Sequence, residues 1–292
     1  MKNKKWLGPL LLSLSASIWG GMFVVVKIVV QYIPPVELVW LRYLVAVVVL
    51  LLVSWLRKER WSIHKSDLGL IFLIGLIGNT ISIVAQETGT WLSTAQTGSV
   101  ITSATPTFMI LFAWWLLREK LTKVKIISVV MATVGVICIV GIHLTGRHVL
   151  LGVLSLVLAA LTWALMSVLI KKLAGNYSTL QVTIMSTLVA IGCLSPIMVV
   201  NRQVLLGIDF LNPVVMACLG YLGIVSTALA FVMWNQGLKL VSAGSSGIFF
   251  LLQPIVGTLL GWLFLNEGLT WGFLLGTILI IGSVWVAIRF DD

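Results

Sequence analysis

Residues 13–143 and 155–289 carry one pattern twice, and each copy holds five apolar runs. Trp19 and Lys27 recur 144 residues later as Trp163 and Lys171. Farther on, Gly75, Gly89, Leu92, Ala95, Pro106, Trp114, Glu119, Leu121 and Thr122 recur 148 residues later as Gly223, Gly237, Leu240, Ala243, Pro254, Trp262, Glu267, Leu269 and Thr270. The offset changes by four residues around the stretch 201–213, between the seventh and eighth runs, where a loop absorbs an insertion. Leucine and valine coincide easily in apolar chains, whereas matched tryptophan, proline and glutamate are rarer, so the pattern reads as an internal repeat. Five is odd. If the runs cross a membrane, the second copy enters from the opposite side and lies inverted.

Composition says that they do cross. Of 292 residues, 60% are hydrophobic and 10% are charged, where a soluble domain carries roughly 25% charge. The apolar runs fall at 7–32, 36–56, 68–92, 95–117, 124–143, 149–171, 178–200, 214–240, 243–265 and 270–288. Each is about 20 residues, enough to span a ~30 Å hydrocarbon core as a helix. The expected fold is an all-α integral membrane protein with ten transmembrane helices as an inverted five-plus-five repeat. Its two units are 1–145 and 146–292, and no stretch between runs holds a separate soluble domain. The start, basic and then apolar through Ser15-Ala16-Ser17, imitates a secretory leader, but the apolar run continues past Ser17 and the repeat needs this helix.

The net charge of +10 follows orientation rather than affinity for nucleic acid. With the N-terminus in the cytoplasm, 15 of the 19 Lys and Arg face inward and only Arg147 and Arg202 face outward. Lys27 and Arg42 remain inside runs. That bias is the positive-inside rule, and it predicts cytoplasmic termini in a plasma-membrane protein. Cys138, Cys193 and Cys218 all lie in apolar runs, so no disulfide framework is implied. His64, His143 and His148 have no metal-ligand spacing, and no metal or cofactor is expected. Asp67 and Asp209 lie in loops, so an intramembrane hydrolase lacks its acids, and there is no phosphate-binding glycine loop for ATP hydrolysis. An enzyme is not expected.

The segment Gln253-Pro254 through Gly261-Trp262-Leu263-Phe264-Leu265-Asn266-Glu267-Gly268-Leu269-Thr270 resembles the end-of-repeat signature of EamA-type proteins, in the drug/metabolite transporter superfamily. Its counterpart from Pro106 through Trp114 to Thr122, the early Trp19-Gly20 and Leu41-Arg42-Tyr43 resemble the same family. The resemblance covers nearly the whole chain. It implies the same ten-helix inverted fold and export of small metabolites, amino acids or drugs.

Within that frame, candidate residues follow from cost. Pro106 and Pro254 lie mid-run, where proline removes a backbone donor and loosens the carbonyls of Thr102 and Phe250. Paired interruptions at matching places point to a midplane site. A polar seam surrounds them: Thr97, Ser99, Thr102, Ser103, Thr105 and Thr107, joined by Asn79, Ser82 and Gln86 and by Ser245, Ser246 and Gln253. Small hydroxyls often bond only to their own helix or a neighbour, whereas an unpartnered amide in lipid is costly, which favours Asn79, Gln86 and Gln253 as ligand contacts. Trp19, Trp163 and Trp234 supply aromatic walls. The expected pocket is mostly neutral, suited to small zwitterionic or amphipathic solutes.

Lys27, Glu37, Arg42 and Glu87 fall in the outer third of the first unit, and each intramembrane charge costs ~2.5–3.5 kcal/mol at the bilayer centre. Either they snorkel and pair statically, or Glu87 pairs with Lys27 or Arg42 as an outer gate and site of proton coupling. Glu119 and Glu267 follow helix ends, where a carboxylate is disfavoured by the helix dipole, so a local partner is expected. Thr122 and Thr270 are placed to cap the next helices. Gly268, Gly272 and Gly276 are spaced for close helix approach, inside a monomer or across a homodimer. The expected partners are a small-molecule substrate and the lipid bilayer. The expected function is secondary transport by alternating access; an uncoupled facilitator, a lipid flippase and a non-transporting membrane subunit remain as alternatives.

Overall fold

The computed structural model describes residues 7–59, 61, 63–118, 122–140, 147–173, 177–240 and 247–289. Among them every regular element is helical. Helices α1 (Leu7–Val29) and α2 (Pro35–Leu56) are continuous. Helix α3 runs as Leu68–Ile74, Gly75–Ser82 and Ile83–Leu92, and α4 as Ala95–Thr102 and Thr105–Leu117. Helices α5 (Lys123–Val140), α6 (Arg147–Leu173) and α7 (Thr179–Val200) follow. Helix α8 runs as Pro213–Gly220, Tyr221–Leu229 and Ala230–Leu240, α9 as Gly247–Leu251 and Leu252–Leu265, and α10 is Trp271–Arg289.

Among the described residues, seven stretches are long and apolar enough to cross a membrane: Leu7–Val29, Pro35–Leu56, Lys65–Leu92, Ala95–Leu116, His148–Ile170, Leu180–Val200 and Pro213–Trp234. Shorter apolar helices, Phe249–Leu265 and Trp271–Ser283, accompany them. Val48 of α2, Ile137 of α5 and Ile278 of α10 turn outward, each more than 60% exposed. An outer surface of this kind is stable against hydrocarbon, not water, and the chain is a multi-pass membrane protein.

The helix ends follow local chemistry. Pro35 opens α2 and Pro213 opens α8, positions where the missing N–H would have no partner in any case. Thr94 and Ser178 accept from Thr97 N (3.0 Å) and Gln181 N (3.1 Å) at the starts of α4 and α7. Thr122 and Thr270 do the same for Lys125 N (3.3 Å) and Phe273 N (3.1 Å). Helices α4 and α9 end on left-handed residues 148 positions apart, Arg118 (φ 55°) and Asn266 (φ 53°).

The helix interruptions also recur. Gly75–Ser82 and Tyr221–Leu229 are π-helical. In each, a threonine hydroxyl donates five residues back, Thr80 to Gly75 O (3.1 Å) and Thr227 to Leu222 O (2.7 Å). A Cβ on Gly75 would stand 2.6 Å from Val189 Cβ, and one on Gly223 would stand 2.6 Å from Val45 Cβ. Gly89 lies against Gly152 and Leu156, and Gly237 against Gly8 and Leu12. Each contact therefore returns with the halves exchanged.

Larger packing obeys the same exchange. α1 packs on α8 and α9 while α6 packs on α3 and α4; α2 packs on the π segment of α8 while α7 packs on that of α3. The pairs α2–α7, α4–α9 and α5–α10 also pack together. Before the matched prolines, α4 breaks at Ser103 and Ala104, and α9 changes from a tighter 3₁₀ turn to α-helix at Leu252. The Thr102 carbonyl, freed by Pro106, accepts the Thr105 hydroxyl at 2.6 Å.

Candidate functional site

A small cavity of about 50 Å³ lies where these interruptions meet. That is room for a few water molecules. The first half lines it with Trp19, Met22, Arg42, Ile83, Gln86, Thr102 and Thr105. The second half supplies Ala159, Ala160, Trp163, Ser226, Phe231, Phe250 and Gln253. The two contributions differ in chemistry. Most polar groups come from the first half and most aromatic rings from the second.

Arg42 holds one edge. Its Nη1 donates to Glu87 Oε1 in a buried ion pair, the one ion pair found among the described residues. Its Nε and Nη2 donate to Thr227 Oγ1 at 3.2 and 2.8 Å, and Nη2 also reaches Met22 Sδ at 3.5 Å. One side chain thus joins α2 to α3 and, across the halves, to the π segment of α8. Glu87 is fully buried, and its Oε2 has no partner. Gln86 Nε2 and Ser226 Oγ are likewise buried without a hydrogen bond. Buried polar atoms left unpaired are costly, so such a cluster around a cavity marks a place for a ligand or water.

The opposite edge is aromatic. Trp19 donates its Nε1 to Ser226 O at 3.0 Å, which fixes the indole. Its ring centroid is 5.2 Å from Trp234 and 5.5 Å from Phe231, while Phe231 is 5.7 Å from Trp163 and Trp234 is 4.6 Å from Phe250. Gln253 bridges to the first half by donating Nε2 to Thr102 Oγ1 at 3.1 Å.

Both ends of the bundle are tied across the halves. At the end where α1 finishes, Glu267 Oε1 accepts from Ala95 N (2.7 Å) and Oε2 from Gln96 N (2.9 Å). A carboxylate after α9 thereby caps the first turn of α4, where negative charge is favourable. Lys27 donates to the carbonyls of Thr90, Trp91 and Ser93 and so caps the last turn of α3. Asn201 Nδ2 donates to Glu37 Oε1 at 2.9 Å near the same end. At the other end, Ser178 Oγ donates to Glu59 Oε2 (2.6 Å) and Tyr177 Oη to Asp67 Oδ2 (2.8 Å). Glu267→Ala is expected to cost about 1–2 kcal/mol, the scale of a lost cap, read as a lower melting temperature in detergent.

Of the candidate residues, Trp19, Gln86, Thr102, Trp163, Gln253 and Arg42 meet at the cavity. Asn79, Ser82 and Trp234 stand behind it. The Asn79 carbonyl accepts from Tyr43 Oη (2.9 Å), Ser82 Oγ donates to Ala159 O (2.8 Å), and Trp234 packs on Trp19 and Phe250. Glu87 pairs with Arg42, while Lys27 serves the end of α3. Pro106 and Pro254 sit just after the breaks in α4 and α9. Glu119, Ser245 and Ser246 lie outside the described residues, as do the side chains of Lys171 and Asn235.

Ser226, Thr227, Phe231 and Phe250 were not singled out by their types. Thr227, the anchor of Arg42, stands 148 residues after Asn79, so carrying Asn79 across the repeat would have found it.

The profile of the EamA-like transporter family matches this chain at residues 6–141 and again at 150–289. The uncharacterized transporter YetK of Bacillus subtilis (strain 168) is 27% identical over 293 residues, spanning 98% of this chain and 88% of YetK. An uncharacterized transporter of Archaeoglobus fulgidus is 24% identical, spanning 98% of this chain and 99% of its own length. One protein of known crystal structure superposes with a TM-score of 0.65 at 17% identity, covering 100% of this chain and 97% of the other, which speaks for the fold alone. Matching profile, helical bundle and apolar exterior agree: the chain belongs to the EamA-like transporter family.

Proposed function

We propose that this protein is a secondary transporter of the plasma membrane, an exporter of small metabolites or amphipathic solutes that works by alternating access. Units 1–145 and 146–292 act as two inverted five-helix bundles around the shared cavity, with both termini in the cytoplasm. The observation that carries this reading is the cavity itself: both halves line it, and contacts across the halves tie the bundle on either side of it. The exchanged glycine contacts and matched π segments support the two-fold relation. At about 50 Å³ the cavity is small, and a solute needs the surrounding helices to move apart. A substrate drives that change only through unequal affinity for the two states. The chemistry is transport, not catalysis.

Purified protein in liposomes tests the reading. Saturable solute flux is expected, and Trp163→Ala should reduce it at least tenfold, roughly the loss of one buried aromatic contact. Flux that never saturates would indicate a facilitator, lipid scrambling alone a flippase, and neither a non-transporting subunit. Labelling of the two termini on opposite faces of the membrane would sink the inverted arrangement.

A further inference from the structure

We infer that a groove at the C-terminal end of α2 holds one phospholipid with a primary-ammonium headgroup, of the phosphatidylethanolamine class. The occupant is independent of the transported solute, so lipid binding and transport stand or fall separately. The groove measures about 530 Å³, within the ~300–1,000 Å³ of small-molecule sites. Leu51, Ser54, Trp55 and Trp61 line it, and Lys58 and Glu59 are its charged members.

Local sequence builds this shape. Helix α2 ends in a Schellman turn, in which Glu59 N donates to Ser54 O at 3.2 Å and Lys58 N to Trp55 O at 3.0 Å. Lys58 occupies the left-handed position (φ 52°), where glycine is usual. The chain then turns back, and Trp61 Nε1 donates to Ser54 Oγ at 3.0 Å. Glu59 Oε2 accepts from Ser178 Oγ at 2.6 Å, which holds the carboxylate in place.

Two features identify the occupant. Val48, Leu51, Leu52 and Trp55 are spaced i, i+3, i+4 and i+7, so they form one stripe along α2. All four are exposed, Val48 at 66% and Trp55 at 74%. This stripe leads up the membrane-spanning helix into the groove, a path for an acyl chain that a water-soluble ligand would leave unused. A tryptophan where the apolar run ends also suits the level of lipid headgroups.

Charge is the second feature. Lys58 Nζ and Glu59 Oε1 have no partner among the described residues. The lysine can donate to a lipid phosphate, and the free carboxylate oxygen can accept from a lipid ammonium. One cation beside one anion matches a zwitterion. A glycerol headgroup brings no cation for Glu59, and a choline headgroup brings one with no N–H to donate.

The test uses the full chain in detergent and native mass spectrometry with dioleoyl phosphatidylethanolamine, phosphatidylcholine and phosphatidylglycerol. The ethanolamine lipid should bind at least about tenfold tighter than either other, the scale of one charge-assisted hydrogen bond. Lys58→Gly suits the left-handed turn, so it should melt no lower than the wild type while weakening that binding at least about tenfold. Glu59→Gln keeps an acceptor for Ser178 and should bring the ethanolamine and choline lipids to equal affinity. Lipid held elsewhere on the bundle does not respond to these changes, so the loss reads this groove. Equal binding of the three lipids, tighter binding of the choline or glycerol lipid, or an ethanolamine preference that survives either substitution overturns the assignment. The three-lipid comparison is made on the unaltered protein, so it can overturn the assignment even if a variant fails to fold.

Discussion

Arg42→Met is expected to destabilise the protein by about 3–5 kcal/mol, the cost of leaving a buried partner charge alone. Glu87 is fully buried, Arg42 is its ion-pair partner, and its second oxygen already lacks a hydrogen bond. The single substitution therefore strands a carboxylate. Removing both charges, Arg42→Met with Glu87→Leu, should recover most of the loss, because apolar replacements of a buried pair are often neutral. Unfolding in mixed micelles, read for the single and the double variant, gives the coupling directly. A double variant as unstable as Arg42→Met alone would show that the contacts of Arg42 to Thr227 outweigh the ion pair.

Gly20→Ala is the second large effect. A Cβ there would stand 2.6 Å from the carbonyl oxygen of Gln253, 3.0 Å from Val256 Cβ and 3.1 Å from Gly257 N. The nearest obstacle is backbone, which cannot rotate aside as a side chain does, so α1 and α9 must move apart. Overpacking of this kind costs about 1–3 kcal/mol. The strain also falls between Trp19 and Gln253, both in the cavity wall, so flux should drop below about a tenth of the wild type, as misplaced site groups do. Gly192→Ala is the control: nothing lies within 4 Å of its added Cβ, and neither stability nor flux should fall. Full flux in Gly20→Ala would mean that this crossing does not hold the transport geometry.

Much of the scaffold was legible because the membrane leaves few choices. Apolar runs had to become helices, and the predicted 68–92, 95–117 and 178–200 match helices α3, α4 and α7 to within a residue or so. The breaks beside Pro106 and Pro254 follow from a missing donor, and the caps at Thr122 and Thr270 from a hydroxyl placed just before a helix.

Rotation was not legible. Lys27 and Arg42 were both candidates to pair with Glu87, yet only Arg42 does, while Lys27 bonds to carbonyls at the end of α3, because neighbouring packing decides which face of each helix turns inward. The π segments hide more. A turn with i→i+5 bonding holds an extra residue, so a 3.6-residue period carried through 221–229 points at the wrong face. Ser226, Thr227 and Phe231 escaped because residue type alone does not set them apart from the other hydroxyl and aromatic residues of the apolar runs. Ser99, Thr102, Ser103 and Thr105 all donate to carbonyls of their own helix, while Gln86 Nε2 and Ser226 Oγ stay without a bond.

The unequal lining has a consequence for ancestry. Two identical subunits meeting about an axis must offer a guest the same surface twice, so the guest can sit either way round with equal ease. Joining the copies in tandem releases each to differ, and here the first supplies the charge of Arg42 and most of the polar groups while the second supplies most of the rings. A bound molecule then has a head and a tail with respect to the membrane, a polarity that no symmetric ancestor could impose.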